Sequence, residues 1–219
     1  MVPSHHLDDQ ILSAYVAGTL GEAHSISVAT HLTLCPVCRD ICKHFDDLGG
    51  VLLSEIVEES VDSTILDRVL ARLEFPDETP SARPDFSDEE TRQLIPRPLR
   101  EHLPAPVGKL IWKKLGRYIR YIELPTDEAG VTARLLRLPA GLRLPAHTHL
   151  GSEMTTVLSG GFSDRFGHYL RGDVAVRDET EKHRPVMDHG EDCWCLAVTD
   201  APLRLTGPMG FLFNRLIDW

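Results

Sequence analysis

The stretch from Gly141 to Gly160, Gly-Leu-Arg-Leu-Pro-Ala-His-Thr-His-Leu-Gly-Ser-Glu-Met-Thr-Thr-Val-Leu-Ser-Gly, decides the fold of the second half of the chain. His147 and His149 are two positions apart, so in a strand both side chains point to the same face. Glu153 returns to that face from the next strand, after the turn at residues 150–152. Two imidazoles and a carboxylate suit zinc, iron, manganese, nickel or copper, so the stretch predicts a metal site within a β-structure.

The residues on both sides of this stretch have the pattern of an all-β domain. Short apolar runs recur after Val107, and turn signals such as Pro139-Ala-Gly141, Ser159-Gly-Gly161 and Arg171-Gly-Asp173 separate them. Regularly spaced short strands of this kind are typical of sandwiches and barrels. The pattern therefore predicts a β-domain over residues 107–219.

The same stretch resembles the first sequence motif of the cupin family, because its glycines, histidines and glutamate have the spacing of that motif. The resemblance implies a cupin β-barrel, which is a double-stranded β-helix, and a fourth metal ligand from a histidine of a second motif. Gly172 and Asp173 mark the start of that motif, ten residues before His183 rather than the usual two or so. We select His183 as the fourth ligand, with His189 as the reserve candidate. We expect a divalent metal, zinc first, with iron or manganese as alternatives.

The first 75 residues have a different periodicity, that of four short helices. We expect these helices to begin after Asp8, near Glu22, at Pro36, and after Asp62 or Ser63. A bundle of such short helices is only marginally stable without an additional cross-link. The N-terminal region is therefore predicted to be a small bundle that a metal holds together.

Candidate ligands for that metal lie between the second and third predicted helices. The segment His31-Leu-Thr-Leu-Cys35-Pro-Val-Cys38 places three nitrogen and sulfur donors within two helical turns. The pair His5-His6, beside the first helix, supplies candidates for a fourth donor. Tetrahedral Cys and His coordination is typical of structural zinc, whose binding free energy contributes to folding.

Other interpretations of the cysteines remain open. Cys35-Pro-Val-Cys38 is similar to a glutaredoxin redox pair, but that motif requires a preceding strand and a βαβ frame. Alternatively, these cysteines pack as small core residues, or Cys42 replaces one of the ligands. Cys193 and Cys195 share one face of a strand, and we interpret them as buried core side chains rather than as a redox pair.

Proline content and charge divide the chain further. Seven of the 15 prolines fall within residues 76–106, which predicts a linker there, with a short helix between Asp88 and Leu94. Residues 1–78 contain 14 acidic and four basic residues, which accounts for the whole net charge of −10. Such an acidic region disfavours direct binding of nucleic acid and favours a partner protein with a basic surface.

The sequence also bears on where the protein operates. It has no apolar run of the length that a membrane helix needs, and residues 1–20 lack the basic region of a secretory signal. Five cysteines, three of them crowded within eight residues, do not suggest a disulfide framework. We therefore expect a cytoplasmic protein that does not bind membranes.

The His-Cys array, the histidine before the first helix and the order of the domains together resemble the zinc-binding anti-sigma factors of the ChrR type. The resemblance implies that the zinc ligands are His6, His31, Cys35 and Cys38. It implies that residues 1–75 sequester an extracytoplasmic-function sigma factor, and that the cupin receives an oxidative signal, singlet oxygen or peroxide, that releases it. The long loop before His183 is also similar to this branch of the cupins.

The alternative is a metal-dependent cupin enzyme, a dioxygenase or an isomerase, with an accessory zinc domain. The sequence has no nucleophile with an orienting base, no phosphate-binding loop and no dinucleotide fingerprint, so catalysis would depend on the barrel metal alone. We therefore expect no catalytic residues and a regulator of transcription. Its predicted α + β architecture is a four-helix zinc-stapled bundle (1–75), a linker (76–106) and a cupin β-barrel (107–219).

Overall fold

The computed structural model describes residues 2–74 and 88–206 of the chain. The expectations for residues 75–87, within the predicted linker, and for residues 207–219, at the end of the predicted barrel, lie outside the described residues. The described helices are α1 (Asp9–Val16), α2 (Glu22–Leu34), α3 (Pro36–Ser54), α4 (Ile65–Glu74), α5 (Glu89–Leu94) and α6 (Arg97–Arg100).

Local sequence explains where these helices begin. The Asp8 carboxylate accepts a hydrogen bond from the backbone N–H of Ile11 at 2.8 Å and so caps α1. Pro36 occupies the first turn of α3, where a missing N–H leaves no helical hydrogen bond unmade. Asp88 caps α5 in the same way as Asp8 caps α1, and this confirms the short helix predicted before Leu94.

The first three helices pack around a buried core, but α4 does not join them. The apolar stripe of α4 is present as predicted, yet Leu66 is 64 % exposed and Leu73 is 71 % exposed. No described residue covers this stripe. The helical spacing of its apolar residues predicted a buried face, but the side chains are largely exposed. The described part of the N-terminal region is therefore a three-helix core with a fourth helix outside it.

The second half of the chain forms the β-barrel. Its strands are β1 (Lys113–Leu115), β2 (Ile119–Leu124), β3 (Thr132–Leu138), β4 (His147–His149), β5 (Glu153–Ser159), β6 (Gly161–Asp164), β7 (Gly167–Leu170), β8 (Val174–Arg177), β9 (Val186–Met187), β10 (Cys193–Thr199) and β11 (Leu203–Leu205). Antiparallel pairing gives a six-stranded sheet in the order β1-β2-β3-β10-β5-β8, a three-stranded sheet β7-β6-β9 and the pair β11-β4.

The helical region and the barrel share one apolar core. A single cluster of buried side chains runs from Leu12 and Val28 in the helices to Leu158 and Leu196 in the barrel. Helix α2 packs on β5 and β10, and α6 packs on α2. The interface between the two regions is therefore continuous with the interior of both.

Residues 88–110 take part in this shared core. Ile95 and Leu99 are fully buried, and Leu103 and Val107 are nearly so. Among the described residues, none of the helices combines the length and the apolar character that a bilayer-spanning segment needs. The domain limits at residues 75 and 107 stay predictions.

Candidate metal centres

Four side chains of the N-terminal region meet at one point, and we call them the first cluster: His6, His31, Cys35 and Cys38. Their ligand atoms all lie within 4.8 Å of one another. His6 Nδ1 is 3.2 Å from Cys35 Sγ, and His31 Nε2 is 3.2 Å from Cys38 Sγ. His31, Cys35 and Cys38 are buried, whereas His6 is exposed.

The junction of α2 and α3 creates this arrangement. His31 lies in the last turn of α2, Cys35 caps the start of α3, and Cys38 lies in the first turn of α3. The chain changes direction at Cys35, so the side chains on both sides of it point toward the same space. The segment before α1 brings His6 to the open side of the cluster.

Within the first cluster, His31 is in the protonation state that binds a metal, whereas the Cys38 thiol keeps its proton. The Gly172 carbonyl can only accept, so His31 Nδ1 donates to it at 2.7 Å, and His31 Nε2 faces Cys38 with its lone pair. Burial lowers the pKa of His31 and raises the pKa of the Cys38 thiol to about 12. The imidazole is therefore a neutral ligand, and a metal that binds the thiols must displace their protons.

The alternatives for these cysteines find little support in the geometry. Helix α2 precedes Cys35, so the strand that a glutaredoxin-type redox pair requires is absent from this position. Cys42 is buried one turn beyond Cys38, and it is not part of the first cluster. Burial, followed by the nearby Asp46, raises the pKa of the Cys42 thiol.

Three histidines meet inside the barrel, and we call them the second cluster: His147, His149 and His183. Their ligand atoms also lie within 4.8 Å of one another, and all three residues are buried. His147 and His149 project from β4 to the same side. The backbones of His147 and His183 exchange two hydrogen bonds of 3.0 Å, which bring His183 against the strand.

In the second cluster, His147 and His183 use Nδ1 for hydrogen bonds to the surrounding protein, and their Nε2 atoms remain available to the cluster. His147 Nδ1 donates to the Pro145 carbonyl at 2.8 Å, and His183 Nδ1 donates to the Asp164 carboxylate at 3.0 Å. His149 Nε2 lies 3.2 Å from His183 Nε2, and buried His149 Nδ1 has no partner among the described residues. Such a convergence of imidazole nitrogens suits a metal ion.

Burial keeps two histidines of the second cluster, His147 and His149, neutral. Burial, and then the neighbouring His183, lowers the pKa of His147 and of His149 to about 4. A neutral imidazole has a free lone pair and is the form that coordinates metals. The interior of the barrel therefore holds two of the predicted ligands in the binding form at neutral pH.

The remaining predicted residues differ in their placement. Glu153 begins β5, and its Oε2 lies 3.5 Å from His149 Nε2, at the side of the second cluster. His189 is exposed and is not part of the second cluster. Cys193 and Cys195 are buried in the apolar interior of the barrel, in agreement with their interpretation as core side chains.

An apolar cavity of about 210 Å³ adjoins the second cluster. His147, Glu153 and His183 form its polar side, and the remainder of the wall consists mainly of leucine, isoleucine, phenylalanine and methionine side chains. A metal held by the second cluster would therefore lie beside an apolar space within the barrel.

Three residues around the clusters were not identified as site residues from the sequence. Asp164 and Arg177 support His183, and the Gly172 carbonyl supports His31. In the sequence Gly172 is part of a turn signal and marks the start of the second cupin motif, and neither feature connects it with His31. A hydrogen bond across 141 positions leaves no local pattern in the sequence that would predict it.

Comparison with known proteins agrees with both halves of this architecture. Residues 103–202 match the family model described as the ChrR cupin-like domain. The chain is 39 % identical over 206 residues to the anti-sigma-E factor ChrR of Cereibacter sphaeroides, and the match covers 93 % of each chain.

A solved structure is similar over nearly the same length. It is the crystal structure of Rhodobacter sphaeroides SigE in complex with the anti-sigma ChrR, with 37 % identity and a TM-score of 0.76. The match covers 89 % of this chain and 98 % of the other. Since the chain is 39 % identical to a ChrR protein over 93 % of its length, the chain belongs to the ChrR family of anti-sigma factors.

Proposed function

We propose that this protein is an anti-sigma factor that sequesters an extracytoplasmic-function sigma factor through its N-terminal helices. One observation carries the proposal: the apolar stripe of α4 and the apolar side chains in the C-terminal half of α3 are both exposed. Leu48, Val51 and Leu52 of α3 are each more than half exposed, as are Leu66 and Leu73 of α4. Large exposed apolar surfaces on soluble proteins mark binding sites for other proteins.

The charge of this surface favours a basic partner. Acidic residues flank the apolar side chains, with Asp46, Asp47, Glu55, Glu58 and Glu59 all exposed. A sigma factor has basic surfaces where it contacts promoter DNA. Complementary charge speeds association and orients the partner, while the apolar side chains provide the buried contact.

The relatives support this function. The curated relative is named an anti-sigma-E factor, and the similar solved structure is a complex of SigE with the anti-sigma ChrR. A regulatory role without catalysis agrees with these names. RNA polymerase operates in the cytoplasm, so we place the protein there.

The test is to co-purify the protein with extracytoplasmic-function sigma factors of its own organism and to measure the affinity of the pair. The double variant Leu66→Ser/Leu70→Ser removes two side chains of the α4 stripe, and the double variant Asp67→Ser/Arg68→Ser is the control on the same helix. We expect at least about tenfold weaker binding for the first variant, because the loss of two apolar side chains from an interface costs on the order of 1–2 kcal/mol. Unchanged affinity, or equal loss in the control, would contradict the proposal.

We further propose that the first cluster holds zinc as a structural ion and that the second cluster, with Glu153, holds a divalent metal. The first cluster has two cysteines and two histidines, the residue types that hold structural zinc. The second has three imidazoles beside a carboxylate, a donor set that zinc, iron and manganese all accept. Elemental analysis of the purified protein shows which metals it contains and how many ions of each are bound per chain.

The barrel is the proposed receiver of the releasing signal, of the singlet oxygen or peroxide type. In support of this role, the apolar cavity beside the second cluster has space for a small uncharged oxidant next to His147, Glu153 and His183. The test is a sigma-dependent promoter reporter in cells exposed to a photosensitiser or an organic peroxide. His147→Ala should leave the promoter repressed but unresponsive, with His189→Ala as the control. A normal response in His147→Ala would remove the second cluster from signalling.

A further inference from the structure

The turn Arg171–Asp173 joins β7 to β8 of the barrel. It forms hydrogen bonds with the segment before α1 and with His31, both of which contribute to the first cluster. The Gly172 carbonyl accepts the hydrogen bond from His31 Nδ1 at 2.7 Å. The next residue, Asp173, accepts hydrogen bonds through Oδ1 from the backbone N–H groups of Ser4 at 2.6 Å and His5 at 2.9 Å. The barrel therefore contacts His31 of the first cluster directly and contacts His5, the residue before His6.

The hydrogen bond from His31 has a specific role in a metal site. A histidine that binds a metal with one ring nitrogen usually donates its other N–H to a carbonyl or a carboxylate, which fixes the tautomer and the ring orientation. In this chain the acceptor for His31 is in the barrel and not in the helical region. The barrel thus completes the hydrogen-bonded surroundings of the first cluster.

The turn is built for close contact. Gly172 has a φ of +93°, and a Cβ atom there would lie 2.7 Å from Pro3 Cγ. A side chain at this position would both strain the backbone and push the N-terminal segment away. Asp173 is 2 % exposed, and its second carboxylate oxygen accepts from the backbone N–H of Leu170 at 2.7 Å. The hydrogen bond from Leu170 therefore fixes the orientation of the carboxylate that accepts from Ser4 and His5.

A chain of contacts continues from the turn to the second cluster. The ring of His5 packs on the ring of Tyr169, with centroids 4.2 Å apart. Arg177 donates to the Tyr169 hydroxyl, and its Nη2 lies 3.5 Å from Asp164 Oδ2. The same Asp164 oxygen accepts from His183 Nδ1 at 3.0 Å. Every contact from His5, next to His6, to His183 of the second cluster is direct.

We propose that Asp173 positions the first cluster from the barrel and that the path His5–Tyr169–Arg177–Asp164–His183 couples the two clusters. This inference rests on the proposed metal binding at both clusters, but it does not depend on sigma-factor binding. If occupancy of the second cluster stabilises metal at the first, the reverse must hold by the same factor, because coupling between two sites is reciprocal.

The first test isolates the first cluster by spectroscopy. The protein is loaded with cobalt, and because only the first of the two clusters contains cysteines, its thiolate-to-cobalt charge-transfer absorption distinguishes that cluster from the second. The rate at which a chelator removes this absorption measures how firmly the metal is held. In Asp173→Asn we expect loss several-fold faster than in the unchanged protein, because the acceptor of the Ser4 and His5 N–H groups, next to His6, loses its charge.

The control for this test is Asp188→Asn. Asp188 is also an aspartate of the barrel that bonds a histidine, His168, at 2.7 Å, but neither residue contacts the two clusters or the turn. Asp188→Asn should lose the cobalt absorption to the chelator at the same rate as the unchanged protein. Equal rates for Asp173→Asn and Asp188→Asn would overturn the positioning role. If circular dichroism shows that Asp173→Asn does not fold, Ser4→Pro, which removes the backbone N–H that donates to Asp173, is measured in its place with the same expected and contradicting rates.

The second test measures coupling along the path. His147→Ala empties the second cluster, and we expect it to speed chelator-induced loss of the first cluster's absorption several-fold. Tyr169→Phe keeps the ring against His5 and removes the hydroxyl that contacts Arg177. In the Tyr169→Phe background, the effect of His147→Ala should fall below about twofold. An effect of the same size in both backgrounds, or none in either, would overturn the coupling whether or not the protein binds a sigma factor.

Discussion

The hydroxyl of Ser27 in α2 lies 2.8 Å from the hydroxyl of Thr156 in β5, and both residues are fully buried. This hydrogen bond joins the helical region to the barrel across 129 positions of the chain. A second polar contact supports the same interface, since the Glu128 carboxylate accepts from the backbone N–H of Ala23 at 2.9 Å. The two regions are therefore held in register by specific polar contacts within a shared apolar core.

Ser27→Ala should destabilise the protein by about 1–3 kcal/mol, because it leaves the buried Thr156 hydroxyl without its partner. Urea unfolding, followed by circular dichroism, measures this loss. The double variant Ser27→Ala/Thr156→Val removes both hydroxyls and should recover part of the stability. If the double variant loses more free energy of unfolding than the two single variants lose in sum, the assignment of this hydrogen bond is wrong.

Cys38→Ser should remove the metal from the first cluster, whereas Cys42→Ser should retain it. Both thiols are buried and lie one helical turn apart, but only Cys38 belongs to the first cluster. Elemental analysis of the two purified variants, with the unchanged protein as reference, measures the metal content. The opposite result would make Cys42 the ligand, as one of the alternatives from the sequence has it.

His183→Ala should remove the metal from the barrel and leave the first cluster occupied. His189→Ala is the matched control, because His189 is exposed and is not part of the second cluster. The metal content per chain should fall by about one ion in His183→Ala alone, since a metal that loses one of a few ligands binds much more weakly. Loss in His189→Ala instead would reassign the fourth ligand.

The metal-free protein should lose stability as the pH falls from about 6.5 to about 4. Burial lowers the pKa of His147 and of His149 to about 4 in the folded state. Between the two pKa values the unfolded chain binds protons that the folded chain does not, so acid shifts the equilibrium toward unfolding. Urea unfolding of the chelator-treated protein at several pH values measures the slope. His147→Gln/His149→Gln should flatten it, and an unchanged slope would contradict this cause.

Sequence by itself predicted most members of each cluster, because those members are close together in the chain. His31, Cys35 and Cys38 lie within two helical turns, and the two-residue spacing of His147 and His149 places both on one face of a strand. The starts of α1 and α3 were equally predictable from Asp8 and Pro36. Each of these features depends on local backbone geometry, which a short stretch of sequence specifies.

Tertiary structure alone decided which surfaces meet. The apolar stripe of α4 has the same period as a buried helix, yet it is exposed, because burial depends on what packs against a helix and not on its period. The choice between His183 and His189 as a neighbour of His147 depends on how a loop returns to β4. The hydrogen bond from His31 to Gly172 exists only because α2 docks on the barrel, and such long-range packing has no signature within either segment.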